Sequence, residues 1–161
     1  MVKKRKKQKE ESENKKIKNA TKVSLKGINF KSRLEARMYE ILVKEGLKPK
    51  YEEETFTLWE GFKPTTPFYD RSKKTNKLEL MTTKLINITY TPDFILWYKG
   101  WKVIIEVKGV ENDVFPIKKK LFRKYLEEEK NVLFFELRTL TELKEAIRII
   151  KTYADEDTRT D

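Results

Sequence analysis

Three side chains in the middle of the chain have the types and spacing of a hydrolytic site. Asp93 lies in Thr91-Pro92-Asp93-Phe94-Ile95-Leu96, and Glu106 and Lys108 follow in Ile104-Ile105-Glu106-Val107-Lys108-Gly109. Residues two apart on a strand share a face, so Glu106 and Lys108 project together while Ile105 and Val107 point the other way. An acid and a lysine among so many branched apolar residues are costly on a buried strand. A turn at Lys99-Gly100 brings Asp93, on the paired strand, near Glu106. Two adjacent carboxylates repel, and a hard divalent cation with a preference for oxygen relieves the repulsion. Lys108 beside such an ion places positive charge near a phosphate or an attacking water. The set suits metal-assisted phosphodiester hydrolysis. Taken singly, each part is ordinary: Glu-x-Lys is a frequent solvated ion pair, and Asp after Pro a frequent turn residue. Their occurrence together, in order, on one hairpin points to chemistry.

Composition narrows that chemistry. The 161 residues include no Cys and no His, which excludes disulfides, thiolate zinc, cysteine nucleophiles, imidazole acid/base catalysis and histidine-bound metals. Any metal must rest on carboxylates and carbonyls, which suit Mg²⁺, Mn²⁺ or Ca²⁺. The net charge of +11 suggests a polyanionic partner such as nucleic acid. That charge is uneven. Residues 1–22 hold ten Lys or Arg and three Glu, the body 23–153 is +7, and 154–161 carries −3. The first segment has too little apolar surface to offset its ordering entropy, so it reads as a disordered basic tail, with a short disordered acidic tail at 154–161. The longest strongly apolar run, Val132-Leu133-Phe134-Phe135, is far too short to span a membrane, and no apolar segment follows the basic start. The expected setting is the cytoplasm of a bacterium or a phage-infected host.

The elements that must position the three residues follow from hydrophobic periodicity. Leu34, Met38, Ile41 and Leu42 recur at helical spacing over 32–45, with Ser32 as N-cap and Gly46 as stop. Residues 51–59 read as a strand and 61–77 as a loop or excursion. Residues 87–98 and 101–108 form the strongest hairpin signal, turning at Lys99-Gly100. A basic helix is expected over 115–130, with Pro116 in its first turn and Ile117, Leu121 and Tyr125, joined by Phe122, on its apolar side. A short buried strand over 131–137 and a helix capped by Thr139 or Thr141 complete the order. Leu140, Leu143, Ile147 and Ile150 line one face of that last helix. The pattern predicts a single α/β domain, a mixed sheet with helices packed against it. Trp59, Trp97 and Trp101 read as sheet-packing residues rather than stacking platforms for bases.

Here the sequence resembles the PD-(D/E)xK, or restriction-endonuclease-like, nuclease superfamily. Pro92-Asp93 and Glu106-Val107-Lys108 carry the motif. Phe30-Lys31-Ser32-Arg33-Leu34-Glu35-Ala36 resembles the stretch opening the first helix in several such nucleases, phage-type endonuclease I Holliday junction resolvases among them. Tyr90 to Phe94 and Gly109 resemble the same subgroup and small phage-encoded relatives. The resemblance covers about residues 28–130, and the insert at 60–85 has no clear counterpart. It implies a mixed sheet flanked by helices in an α/β/α arrangement, and Mg²⁺ (or Mn²⁺) held by Asp93, Glu106 and the carbonyl of Val107. Lys108 would orient or activate water, and Glu35 would support a second metal or a bound water. It also implies DNA cleavage leaving a 5′-phosphate and a 3′-hydroxyl, with branched DNA the preferred substrate. Cutting a symmetric junction needs two sites, which favours a homodimer. A non-catalytic nucleic-acid-binding or virion-associated protein that keeps the fold is the alternative.

Several residues carry two readings. Ser32-x-x-Glu35 is also a capping box, which would occupy the Glu35 carboxylate. Arg33 and Arg37 could meet phosphate or pair with Glu40 and other helix acids. Lys118, Lys119, Lys120, Arg123 and Lys124 form either a solvated helix surface or a phosphate-binding one beside the metal. The basic tail could be a non-specific DNA arm or a solubilising segment.

Overall fold

The first helix forms where the periodicity places it. In the computed structural model, which describes residues 21–109 and 114–157, α1 spans Arg33–Lys44 and Ser32 caps it by accepting the Glu35 N–H at 3.1 Å. Met38 and Leu42 on its inner side are fully buried, and the chain leaves α1 through Gly46 at φ +81°, a conformation that favours glycine. Before α1 lies a hairpin not foreseen from the sequence, β1 (Val23–Leu25) with β2 (Ile28–Phe30), turning at Lys26-Gly27.

The expected strand over 51–59 divides. At Glu52 the backbone takes φ +46°, and β3 (Lys50–Tyr51) and β4 (Phe56–Trp59) part to different neighbours. The expected strand over 87–98 divides too. Pro92 has no N–H to give a ladder, and it separates β7 (Ile88–Tyr90) from β8 (Phe94–Tyr98). β4 pairs with β7, and β3 with β8, both antiparallel. Between β4 and β7 the supposed loop contains a further hairpin, β5 (Tyr69–Arg71) with β6 (Leu78–Leu80).

The central sheet has the order β10-β9-β8-β3. β8 and β9 (Trp101–Val107) form the expected antiparallel hairpin, with Lys99 and Gly100 at φ +45° and +85° in the turn. After β9 the chain passes through α2 (Phe115–Leu126) and returns as β10 (Val132–Leu137), parallel to β9, before α3 (Leu140–Asp157). Val103, Ile105 and Val107 of β9 face a core built with α1 and α3, while Ile104 faces a second core with Phe115 and Phe122 of α2. The result is a single α/β domain with a mixed sheet and helices against both faces.

Four further expectations need correction. The apolar side of α2 is set by Phe115, Phe122 and Leu126, so Ile117 turns outwards and is 61% exposed. β10 is an edge strand, half-buried rather than buried. Trp59 and Trp97 are exposed, because Trp59 ends β4 and Trp97 lies on the outer part of β8 that β3 does not reach. The acidic end is helical to Asp157, with Ala154 buried one turn after Ile150; α3 therefore runs past the expected boundary at 154. The expected disorder of the basic tail, up to residue 20, and of 158–161 lies outside the described residues.

Candidate active site

The β8–β9 register brings the expected residues together. Phe94 lies opposite Ile105, so Asp93, one step before β8, sits beside Glu106. Asp93 Oδ2 accepts the Val107 N–H at 2.7 Å. Asp93 is 9% exposed and Glu106 6%, two acids buried at one end of the sheet. Burial, then the charge of Glu106, pushes the Asp93 carboxyl up to about 8, against the smaller opposing effect of the Val107 N–H.

Glu106 is held from two sides. The Tyr90 hydroxyl donates to Oε2 at 2.7 Å, and Lys108 Nζ donates to Oε1 at 2.9 Å. Burial and the Glu106 carboxylate raise the Tyr90 phenol far above its usual range, so it stays a donor. Lys108 also lies 3.4 Å from the centre of the Phe115 ring, a cation–π contact that fixes it at the start of α2. The face shared by Glu106 and Lys108 is thus the face covered by α2, as strand alternation requires.

Glu35 is buried, at 7% exposure, and its charge contributes to the raised Asp93. Its carboxylate accepts from Ser32 Oγ at 2.7 Å, from the Lys31 N–H at 3.0 Å and from the Tyr51 hydroxyl at 2.6 Å. This is a capping arrangement at the mouth of the helix, displaced one residue from the simple box because the backbone donor is Lys31. Glu35 thus caps α1, with its carboxylate taken up by these three donors, and lies within electrostatic reach of Asp93.

Sequence reasoning missed Glu136. It sits beside Glu106 in the parallel ladder. Its Oε2 accepts from Lys119 Nζ at 2.7 Å, and its Oε1 pairs with Arg138 at 2.6 Å. Burial alone would raise this carboxyl, but Lys119 and Arg138 hold it below the usual range. Lys119 also approaches the Phe115 ring, 5.6 Å from its centre, so Lys108 and Lys119 share one aromatic neighbour. Of the basic candidates on α2, Lys119 is therefore drawn into the site; Lys118 is half-buried, and Lys120, Arg123 and Lys124 are exposed. Arg33 and Arg37 are both exposed on α1, where Arg37 lines a shallow groove with Glu40, Ile41, Lys44 and Leu140.

The donor set fits a hard cation. Asp93 and Glu106 supply two carboxylates whose mutual repulsion a divalent ion would relieve, and the Val107 carbonyl offers a neutral oxygen next in sequence. Among the described residues no group of three or more acidic side chains is placed to hold a metal, so such an ion would complete its shell with water or substrate oxygens. Nor is any helix of the described residues long and apolar enough to cross a membrane.

These features define an α/β domain with a buried acid pair and a half-buried lysine at a sheet end, under a basic helix. The chain belongs to the family described as "Protein of unknown function (DUF1064)", whose model matches residues 15–145. No curated protein and no solved structure matches it.

Proposed function

We propose that the protein is a Mg²⁺- or Mn²⁺-dependent endodeoxyribonuclease of the PD-(D/E)xK type, acting in the cytoplasm of a bacterium or a phage-infected cell. The observation that carries this reading is the buried pair Asp93 and Glu106 with Lys108 bonded to Glu106 at 2.9 Å. Burying two like charges side by side is unfavourable, and a structural role would be served as well by apolar residues.

Asp93 and Glu106, with the Val107 carbonyl, would hold the cation, which supplies Lewis-acid charge to the scissile phosphate and its water when bound. The Val107 N–H fixes one oxygen of Asp93, and Tyr90 fixes one oxygen of Glu106. Lys108 offsets negative charge developing on the phosphate in the transition state. Lys120, Arg123 and Lys124 on the outer side of α2 suit contacts to neighbouring phosphates, which hold DNA without reading its sequence. A site that recognises backbone and shape suits branched DNA, the substrate we favour.

The test uses four-way-junction, linear duplex and single-stranded DNA with Mg²⁺, Mn²⁺ or EDTA, for the native chain and Asp93→Ala. Cleavage is expected with either metal and not in EDTA, and the variant should lose roughly 1,000-fold or more. Cleavage in EDTA, or full activity in the variant, overturns the mechanism. Binding without cleavage in every metal makes the protein a non-catalytic nucleic-acid binder.

A further inference from the structure

We propose that the ribbon over residues 60–87 is a duplex-DNA arm, whose basic tip meets backbone phosphates away from the acid pair. The inference rests on the proposed function for its choice of DNA, and adds to it a contact that the sheet end does not supply.

The arm is a built projection, rooted beside the site. From the β4–β7 pair its two limbs stay hydrogen-bonded outwards: Gly61 N–H to Asn87 Oδ1 at 2.8 Å, Leu85 N–H to the Phe62 carbonyl at 2.9 Å, and Met81 N–H to the Phe68 carbonyl at 2.8 Å. β5 and β6 continue this ladder, and all their residues are exposed. At the root the limbs are so close that a Cβ on Gly61 would collide with the Leu85 carbonyl and the Ile86 backbone. The root strands lie against α2: the Phe122 ring packs on Phe56 of β4 and Tyr90 of β7, with centres 5.0 and 4.6 Å away. Tyr90 in turn holds Glu106, so the strand that closes the arm is bonded directly to the acid pair.

The tip is an ordered turn that presents lysines. The Ser72 N–H bonds the Lys77 carbonyl and the Asn76 N–H bonds the Ser72 carbonyl, both at 2.9 Å, with Asn76 at φ +57°. The hydroxyls of Ser72 and Thr75 accept the N–H groups of Lys74 and Lys77, both at 3.3 Å. Lys73, Lys74 and Lys77 are all exposed.

Charge then selects the partner. Residues 71–77 hold Arg71, Lys73, Lys74 and Lys77 and no acid, and the whole ribbon has six cations against three acids. Among the described residues none of those six forms an ion pair, whereas Lys50, Lys99, Lys102, Lys119 and Arg138 of the domain each meet a carboxylate. Cations crowded at a tip repel one another, and a polyanion relieves them while releasing its own counterions. Cross-strand pairing sets Arg71 on one side with Tyr69, Leu78 and Leu80, and Asp70 with Glu79 on the other. The acids are engaged locally, Asp70 accepting the Arg71 N–H at 2.7 Å and Glu79 the Thr75 hydroxyl at 2.5 Å. A two-stranded ribbon fits the major groove of B-form DNA, about 12 Å wide, and here Arg71 lies on the side turned away from both acids. At about 3.3 Å per residue the limb from Gly61 reaches up to about 40 Å, comparable with one turn of duplex.

Other occupants fit less well. Tyr69, Leu78 and Leu80 alone fall well short of the roughly 800 Å² that one partner gives a standard protein interface. A lipid surface is entered by apolar side chains, and residues 71–77 hold none.

The test is fluorescence anisotropy of a labelled duplex with the full chain in EDTA, over a KCl series, so that binding is read apart from cleavage. Lys73→Gln/Lys74→Gln/Lys77→Gln should weaken duplex binding by roughly 10-fold or more, and lower the slope of log affinity against log salt by about 2 to 3. Lys73→Arg/Lys74→Arg/Lys77→Arg should keep both, and both variants should keep the native thermal transition. A glutamine variant with native affinity and slope overturns the inference even where the native chain cleaves DNA with Mg²⁺. An equal loss in the arginine variant overturns it too, because charge would not be what acts. So does binding to vesicles of phosphatidylserine in phosphatidylcholine that the glutamine variant loses while its duplex binding stays native, which would assign the arm to a lipid surface. Tip-dependent binding in a chain that cleaves with no metal upholds the arm and overturns the nuclease reading alone.

Discussion

The sheet end and the arm over residues 60–87, which carries the β5–β6 hairpin, place residues in opposite ways. At the sheet end Asp93, Glu106 and Glu35 are buried among apolar strands; on the arm Phe62, Tyr69, Leu78 and Ile86 stand in water. Both arrangements are unfavourable for an isolated chain, and each is relieved by a different kind of partner. A buried acid pair calls for a small, hard, positive ion. An exposed set of apolar side chains marks an interaction surface. The difference also separates what each region contributes to folding. Asp93 directly precedes β8, Glu106 lies on β9 and Glu35 opens α1, so all three are positioned by the middle strands and the helix packed on the core. The arm is joined at its root and contributes little to that core.

Three measurements can break or sharpen this contrast. The largest effect is expected at Lys108. Lys108→Ala should reduce the proposed cleavage by roughly 100-fold while leaving DNA retention in gel shifts nearly unchanged, because one preorganised charge is removed from the transition state and several phosphate contacts remain. Equal losses of binding and cleavage would make Lys108 a docking residue instead.

The second measurement is proton linkage in EDTA. The folded Asp93 carboxyl titrates near 8, above its unfolded value, so between about 4 and 8 the folded state holds a proton that the unfolded state has lost. Its contribution to stability therefore falls as pH rises through that window, by up to about 1.4 kcal/mol per pH unit. Asp93→Asn should flatten this slope in denaturant titrations. A slope unchanged by the substitution would place the proton elsewhere.

The smallest effect is expected on the arm. Leu78→Asp should change the unfolding free energy of the monomer by no more than about 0.5 kcal/mol, as for a surface site away from any packed neighbour. A loss of several kcal/mol would show that the arm belongs to the core, and the contrast would fail.

How much of this could be read from the sequence depends on range. The β8–β9 hairpin was legible because its turn, its β-branched strands and its two-residue alternation are all local, and Glu106 and Lys108 fall on one face for the same reason. The α1 cap was legible in Ser32 and Gly46. The breaks at Glu52 and Pro92 were not anticipated, although the proline offered a signal: a strand running through it has no donor at that position. On α2 the expected Phe122 and Tyr125 do meet the second core, but Ile117 was placed with them because it keeps helical spacing too; only the packing of Phe115 and Phe122 against Ile104 turns it outwards. Glu136 was invisible for a stronger reason. Nothing near it in sequence marks it, and its place beside Glu106 exists only through the parallel β9–β10 register. The extension of α3 had a local signal, Ala154 four residues after Ile150, outweighed in the reading by the acids around it.

The contact between the Val107 N–H and Asp93 has a consequence for drift. One of the three buried acids among the described residues is anchored by a backbone group, which no substitution at 107 except proline can delete. Selection on that position would then act through the Val107 side chain, which faces α1 and α3 and sees only volume. Residue 107 should accept Ile readily and any apolar neighbour of similar bulk, while 106 and 108 on either side tolerate almost nothing. A site wired through the main chain is heritable without being spelled out, and a search for relatives by residue identity will undercount it.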